Sequence, residues 1–239
     1  MNEVIKKWGL PVAGLAILGI GWYLGLAWAP PDREMGDVQR IMYVHVPLQW
    51  MAMLAMFLNF VTAVSHLLKT KPGWKLDSMA ESSAEVGLVL GTLGMVTGAI
   101  WGRPTWGVYW SWDPRLTSEA IMLVTYTGYL VLRRFVEDPD KRATWSAVVA
   151  ILGAINLPIV WFSVRWWRSL HQVQSSPKTV DPQMVLPLRV SAIGLLLLTL
   201  VWLMHRYRIA LAERHAEVAL PEALPGSGAP NVHDTPKVA

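Results

Sequence analysis

Long uncharged apolar segments alternate with short charged ones along this 239-residue chain, and this alternation restricts its fold more than any other feature. Residues 8–30 carry no charged side chain, and a segment of that length can cross a hydrocarbon core of about 30 Å. A cleaved signal peptide would have a shorter apolar region and a small-residue cleavage site, whereas this segment ends with Trp28 and Pro30. We therefore expect a retained first membrane helix.

The same alternation continues to about residue 205 and predicts an all-α, polytopic integral membrane protein with six transmembrane helices. A membrane domain is predicted over 1–210 and a cytoplasmic tail, largely disordered because it is rich in Pro, Ala and Gly, over 211–239. The predicted helices span about 8–30, 46–68, 79–101, 116–132, 143–164 and 187–205, and the loops on one membrane face span about 31–45, 102–115 and 165–186.

Local signals place several helix ends. Asp113-Pro114 and Asp181-Pro182 are typical of an N-cap followed by the first helical residue. Ser78, with Glu81 three residues later, predicts a capping box for the third helix. Glu81 and Glu85 then fall near the inner interface, where we expect them to interact with the helix dipole and with water. Pro158 is expected to kink the fifth helix toward its outer end.

The distribution of Lys and Arg predicts the orientation of the helices. The N-terminus, the turns at 69–75 and 133–142 and the tail hold 13 of the 21 basic residues, and the opposite face holds 8. Because basic residues favour the cytoplasmic side, both termini are predicted to be cytoplasmic. His45, the loop after residue 101 and His171 then share the outer face.

Residues 101–113 form an unusually aromatic segment. Gly102, Pro104 and Gly107 interrupt it, and its aromatic spacing fits neither a helix nor a strand, so we expect an irregular loop. An interfacial aromatic belt would explain one or two tryptophans. Four of them within twelve positions favour a surface for a large flat ligand. They are Trp101, Trp106, Trp110 and Trp112.

Two histidines in loops beside this aromatic segment suggest a haem as the flat ligand. Imidazole is a good ligand of haem iron, and His45 and His171 would complete an axial pair, one on each face of the porphyrin. A single histidine at an interface is more often solvated or hydrogen-bonded, so each is a candidate only together with the other. Cationic partners for the propionates are available nearby. They are Arg40, Arg103, Arg115, Arg165 and Arg168.

Composition excludes several other kinds of chemistry. The chain has no cysteine, which rules out disulfides, thiolate metal sites and thioether attachment of a haem within it. It also lacks the phosphate-binding loop of ATPases, so we do not expect an enzyme. Its net charge of +4 reflects basic residues at membrane edges, and no nucleic-acid partner is expected.

The segment 106–113 reads Trp-Gly-Val-Tyr-Trp-Ser-Trp-Asp and resembles the W-G-x-x-W-x-W-D motif of haem-handling membrane proteins in cytochrome c biogenesis. The length of the chain, Val-His-Val-Pro at 44–47 and Trp-Trp-x-x-Leu-His at 166–171 narrow the resemblance to the C-protein family of the cytochrome c maturation system. The similarity covers about residues 8–208, and the eight-residue motif is highly specific.

The resemblance implies a haem b held non-covalently and transiently at the periplasmic face of the bacterial inner membrane. It implies that His45 and His171 are the axial ligands of the haem iron. The residues expected to contact the haem are Trp101, Trp106, Gly107, Trp110, Trp112, Asp113, Arg115, Arg40 and Trp167.

The resemblance also implies partners. Proteins of this family present haem to a periplasmic haem chaperone, the E protein of the same system. They associate with the ATPase and membrane subunits of an ABC transporter and with a small single-helix D protein. We expect the same partners here.

Three other functions fit parts of the sequence. A b-type electron-transfer cytochrome would also use two histidines, but it usually places them inside the helical bundle. A transporter permease would need polar groups along the bundle, and these helices contain few, chiefly Asn59, Glu119 and Asn156. A scaffold subunit without a ligand leaves the aromatic segment unexplained.

Overall fold

The computed structural model describes residues 3–69, 73–171 and 181–223, and within them the protein is helical and contains no β-strand beyond an isolated bridge. This confirms the all-α prediction for the described residues. A wider helical turn (Leu24–Trp28) continues the first helix, and a 3-10 turn (Asp37–Ile41) leads into the second. The helices are α1 (Glu3–Tyr23), α2 (Met42–Leu68), α3 (Trp74–Trp106), α4 (Pro114–Phe135), α5 (Pro139–Ala154), α6 (Asn156–Trp166) and α7 (Pro182–Ala223).

Among the described residues, five helical segments are long and apolar enough to cross a membrane. They are Trp8–Trp28, Asp37–Leu68, Trp74–Trp106, Pro139–Trp166 and Pro182–Glu217. The helix α4 is not among them, because its 22 residues include buried Glu119 and Arg133. The six-helix count therefore stays a prediction.

The bundle is centred on α2 and α3, which pack along most of their length. The helix α7 packs against both and carries α1 on its other side, while α4, α5 and α6 cover the opposite flank. Large apolar side chains such as Leu15, Leu93, Val96 and Val124 remain exposed on the outside. An apolar exterior of this extent is expected where the surrounding solvent is lipid.

Small residues allow α2 to approach α3 closely. A Cβ atom added to Gly87 would lie 2.9 Å from Cγ of Met56, and one added to Gly98 would lie 2.9 Å from Cε1 of His45. Both distances are shorter than a normal carbon contact. Helix pairs in membranes gain much of their stability from such close packing over glycine.

Ion pairs hold the helices together at the end of the bundle away from His45. Arg133 of α4 binds Asp77 of α3 through two contacts of 2.7 and 3.0 Å, and it contacts Glu81 at 2.7 Å. On the neighbouring helix α7, Arg206 donates to Glu85 at 2.9 Å. Glu81 and Glu85 are therefore partners in ion pairs, a role that the sequence did not predict.

The structure corrects both ends of α3. The helix begins at Trp74, and Ser78 is buried in its second turn, so the predicted capping box is absent. At the other end the helix continues to Trp106 through Gly102 and Pro104. The expected irregular loop is thus shortened to residues 107–113.

Residue His45 also lies in regular structure. The helix α2 begins at Met42, and Pro47 sits inside it, although the sequence predicted a loop up to residue 45. Pro47 is the sixth residue of α2 and follows the 3-10 turn, so it lies inside the helical segment and has no N–H to donate to the carbonyl of Tyr43 four residues earlier.

The last two predicted helices differ in extent. The fifth is divided at Ile155 into α5 and α6, because Pro158 has no N–H to donate to the carbonyl four residues earlier. The sixth, α7, begins at Pro182 as its Asp-Pro signal predicted, but it continues to Ala223. Residues 211–223 of the predicted tail are therefore helical, and 224–239 lie outside the described residues.

Replacing Arg133 should destabilise the bundle. Arg133→Ala leaves buried Asp77 with only the more distant cation of Arg214 at 3.7 Å, and breaking a buried ion pair costs up to about 3 to 5 kcal/mol. We expect a clearly lower midpoint of thermal unfolding for the detergent-purified variant. Arg134→Ala removes the adjacent, exposed arginine and serves as the matched control, which should unfold like the parent. Equal midpoints for the two variants would contradict a stabilising role of the Arg133–Asp77 pair.

Candidate functional site

His45 and His171 line the same cleft, as their predicted position on one membrane face suggested. The cleft holds about 410 Å³ of space when the open solvent at its mouth is included. It lies between the start of α2, the end of α3 and the segment after α6. Its other lining residues are Met35, Gly98, Trp101, Gly102, Thr105 and Trp106.

The ring of His45 is held by hydrogen bonds to α3. Its Nδ1 lies 2.9 Å from the carbonyl oxygen of Gly94 and 3.2 Å from the hydroxyl of Thr97. A carbonyl can only accept a hydrogen bond, so Nδ1 carries the proton and Nε2 keeps its lone pair. The side chain is nearly buried, and its orientation is therefore fixed.

Asp113 positions His171 from the opposite side of the cleft. Its carboxylate accepts hydrogen bonds from the backbone N–H of Leu170 at 2.7 Å and from the hydroxyl of Ser169 at 3.1 Å. Nδ1 of His171 lies 3.4 Å from the same carboxylate, too far and too poorly aligned for a good hydrogen bond. The nearby acceptor still favours the proton on Nδ1, which leaves Nε2 as the basic nitrogen.

The electrostatics of this segment favour a neutral histidine beside a charged carboxylate. Burial lowers the pKa of His171 to about 4, and the Arg115 guanidinium acts in the same direction. Burial alone would raise the pKa of Asp113, but hydrogen bonds from Leu170, Ser169 and the Arg115 backbone hold it below its ordinary value. At neutral pH His171 is therefore uncharged, the form of imidazole that binds metals.

Two tryptophans at the end of α3 form the aromatic wall of the cleft. Trp101 meets the His45 ring edge-on, with centroids 5.7 Å apart, and Trp106 meets the His171 ring at 4.8 Å. Trp101 is largely buried, and its indole N–H has no hydrogen-bond partner among the described residues. The five-residue spacing of Trp101 and Trp106 on a helix places one beside each histidine.

The other predicted aromatic residues lie away from the cleft. Trp110 and Trp112 pack against each other edge-to-face with centroids 5.6 Å apart, and Trp112 is 81% exposed. Trp167 is half exposed and packs against Trp166. None of these residues lines the cleft, and the sequence did not separate this exposed aromatic rim of Trp110, Trp112 and Trp167 from the cleft wall.

The predicted arginines make other contacts. Arg40 donates to the carbonyls of Gly25 and Ala29 and pairs with Asp37 at 2.8 Å, so its guanidinium braces the connection between α1 and α2. Arg115 donates to the carbonyl of Val160 in α6 at 3.1 Å. Neither lines the cleft, and their contact with a propionate stays a prediction.

Gly107 has a structural role that the sequence could indicate only in part. Its φ of 80° lies in the left-handed region, and its N–H bonds to the carbonyl of Arg103, which ends α3 immediately after Trp106. A residue with a side chain would be strained in this conformation. Gly107 thus turns the chain away from the helix toward Asp113.

Sequence reasoning missed several residues of the cleft. Met35, Gly98, Gly102 and Thr105 all line it. The spacing of the glycines indicated part of this surface. Gly94, Gly98 and Gly102 recur every four residues and so share one face of a helix. Because the sequence predicted an irregular structure for residues 101–106, this helical spacing was not extended to Gly102.

The chemistry of the cleft is that of a paired imidazole site. None of the hydrogen bonds among the described residues involves Nε2 of His45 or His171. Within the same residues, no group of three or more His, Asp or Glu side chains is placed to hold a metal ion. Two imidazoles and aromatic walls therefore suit a metal that brings its remaining ligands in a flat, largely apolar macrocycle.

The fold and the cleft define a helical, multi-pass membrane protein with a paired-histidine site. The family model described as Heme exporter protein C matches residues 1–220, and the chain belongs to that family. This confirms the family resemblance stated from the sequence. It also supports a role in haem handling for cytochrome c biogenesis.

Individual relatives agree with this membership. The chain is 36% identical to Heme exporter protein C of Escherichia coli K12 over 217 residues, 88% of this chain and 87% of the relative. It is 39% identical to the protein of the same name from Bradyrhizobium diazoefficiens over 193 residues, 79% and 72% of the two chains. A ccmC-like mitochondrial protein of cytochrome c biosynthesis from Marchantia polymorpha is 39% identical over 153 residues, 64% of each chain.

Removing the Asp113 carboxylate should free the segment that carries His171. Asp113→Ala loses the hydrogen bond from Leu170 N–H, and bonds to charged groups contribute about 1.5 to 3 kcal/mol. We expect amide hydrogen exchange at Leu170 and His171 to accelerate about tenfold or more. Asp138→Ala is the matched control, because Asp138 caps α5 in the same way without contacting this segment. Unchanged exchange at Leu170 would contradict the positioning role of Asp113.

Proposed function

We propose that this protein binds haem b reversibly in the cleft between His45 and His171 and passes it to a periplasmic acceptor. The observation that carries the proposal is that the imidazoles of His45 and His171 line one cleft walled by Trp101 and Trp106, with no hydrogen bond to either Nε2 among the described residues. His45 and His171 would supply the imidazole nitrogens that hold the haem iron.

The remaining groups of the site bind, orient and expose the haem. Thr97 and the Gly94 carbonyl fix the His45 ring, and Asp113 fixes the segment of His171. The unpaired indole N–H of Trp101 offers a donor at the cleft wall. The exposed rim of Trp110 and Trp112 lies where an approaching partner can cover it without first displacing the helices.

The proposal also includes the position of the cleft in the membrane and the proteins with which this chain acts. The bias of basic residues supports a position of the cleft on the periplasmic side of the bacterial inner membrane, with α4 as the sixth span and both termini in the cytoplasm. By its family resemblance the protein delivers haem to the E-protein chaperone. It acts with the ATPase and membrane subunits of an ABC transporter and with the single-helix D protein.

A bis-histidine electron-transfer cytochrome is the second candidate, favoured by the burial of His45 within α2. The two functions predict different fates for the haem. A cytochrome retains its haem through many reactions, whereas a carrier releases it to an acceptor. Mixing haem-loaded protein with the apo form of the E-protein chaperone, with apomyoglobin as an unspecific acceptor, separates them. Preferential transfer to the chaperone supports the carrier, and no transfer supports the cytochrome.

Replacing the two histidines tests the ligand assignment. We expect the detergent-purified parent to show a low-spin bis-imidazole visible spectrum, weakened in His45→Ala and His171→Ala and lost in the double variant. His205→Ala is the matched control, since His205 lies on the exposed surface of α7 toward the other end of the bundle, and its spectrum should equal that of the parent. A double variant with an unchanged spectrum would show that the haem is bound elsewhere.

Filling the space beside His45 tests the cleft geometry without replacing either histidine. In Gly98→Ala the new methyl group would lie 2.9 Å from Cε1 of His45, so the ring must move and haem retention should fall about tenfold or more. Gly128→Ala is the control, because a Cβ there meets nothing within 4 Å. Equal retention by the two variants, measured as haem loss to apomyoglobin, would count against this cleft.

A further inference from the structure

A buried carboxylate that the proposed function does not use lies two helical turns beyond Asp113. Glu119 of α4 is 3% exposed and accepts a hydrogen bond from the side-chain amide of Gln49, which is also buried. Gln49 follows His45 by four residues, so the two side chains lie on the same face of α2. The polar pair is therefore one helical turn from a proposed haem ligand.

The same helix is connected to both histidines. At its N-terminus Asp113 holds the segment of His171, and six residues later Glu119 holds α2 next to His45. These contacts come from one continuous helix, α4, whose own geometry fixes the distance between them. The position of α2 against α4 thus determines how far apart the two imidazoles lie.

The helix α3 completes the connection between Gln49 and His45. The carbonyl of Gly94 accepts the hydrogen bond of His45, and a Cβ atom at Gly94 would lie only 2.7 Å from the amide nitrogen of Gln49. The absence of a side chain therefore lets Gln49 pass α3 and reach Glu119. His45 and Gln49 both contact Gly94, so they pack against the same turn of α3.

The chemistry of the pair gives it a strong preference for this position. A carboxylate buried among apolar groups is unfavourable unless it is hydrogen-bonded. Sliding α2 along α4 would separate Gln49 from Glu119 and leave the carboxylate without its donor. Glu119 also interacts electrostatically with the cation of Arg115, which lies one turn earlier on α4.

We propose that the Glu119–Gln49 pair is a positioning device that sets the separation of His45 and His171, so that both reach the haem iron together. This inference rests on the proposed function and adds a role for two residues outside the cleft. Without the pair the protein still binds haem, but one imidazole coordinates only part of the time.

The experiment compares haem-loaded variants by visible spectrum and by titration with free imidazole. Gln49→Leu should convert part of the six-coordinate, low-spin haem to a five-coordinate, high-spin form. It should also raise the affinity for free imidazole about tenfold or more, because the displaced ligand competes less well. Gln49→Asn shortens the side chain by one methylene, and its smaller volume change provides a second variant if Gln49→Leu does not accumulate.

Two further variants separate positioning from general loosening. The double variant Gln49→Glu with Glu119→Gln restores a carboxylate–amide pair in reverse and should return the low-spin spectrum. Asn59→Leu is the matched control, because Asn59 is a buried amide on α2 that bonds to α3 at the carbonyl of Ala80, far from the cleft. Its spectrum should equal that of the parent.

Different results would contradict the proposed function and the positioning role of the Glu119–Gln49 pair. A parent protein without a bis-imidazole spectrum would overturn the proposed function itself. A parent with that spectrum and a Gln49→Leu variant identical to it would overturn only the positioning role. An equal shift in Asn59→Leu would also overturn only the positioning role, as would a double variant that stays high-spin.

Discussion

The close contact between α2 and α3 is the interaction on which the rest of the structure depends. Glycines on α3 allow the two helices to approach until His45 touches α3 and donates to the carbonyl of Gly94. The remaining helices pack around this pair, α7 on one flank and α4 to α6 on the other. The tautomer of His45, and so the nitrogen it presents to the cleft, follows directly from that contact.

Polar groups are concentrated at the two ends of the bundle. One end holds the cleft and the Glu119–Gln49 pair, and the other holds the ion pairs of Arg133 and Arg206. Between them the core of the described residues is mostly apolar, and its buried polar groups include Asn59 and Tyr126, which bond to backbone carbonyls. The cleft is thus separated along the bundle from the ion pairs of Arg133 and Arg206.

Much of this fold could be predicted from sequence, for physical reasons specific to each element. Uncharged segments of about twenty residues predicted membrane helices, and Asp113 before Pro114 predicted the start of α4, where the carboxylate indeed accepts the N–H of Arg115. The resemblance to the C-protein family was confirmed, and His45 and His171 were expected on one face and do share a cleft.

Tertiary contacts account for what the sequence did not predict. Gly102 and Pro104 argued for a loop, but packing of Trp101 and Trp106 on the two histidines accompanies helical structure through residue 106. The extension of α7 past residue 205 includes ion pairs of Arg142 and Arg214 with Glu217, the first of which joins residues distant in sequence. The division of the tryptophans into cleft wall and exposed rim depends on where α3 ends, at Gly107, and no local pattern fixed that residue.

The most direct test of coordination by both histidines is the electron paramagnetic resonance of the ferric, haem-loaded parent protein in membranes, with histidine nitrogen labelled isotopically. Paired coordination predicts a low-spin signal whose nitrogen couplings come from two imidazoles and respond to the label. A high-spin signal, or coupling to a single histidine nitrogen, would contradict coordination by His45 and His171 together.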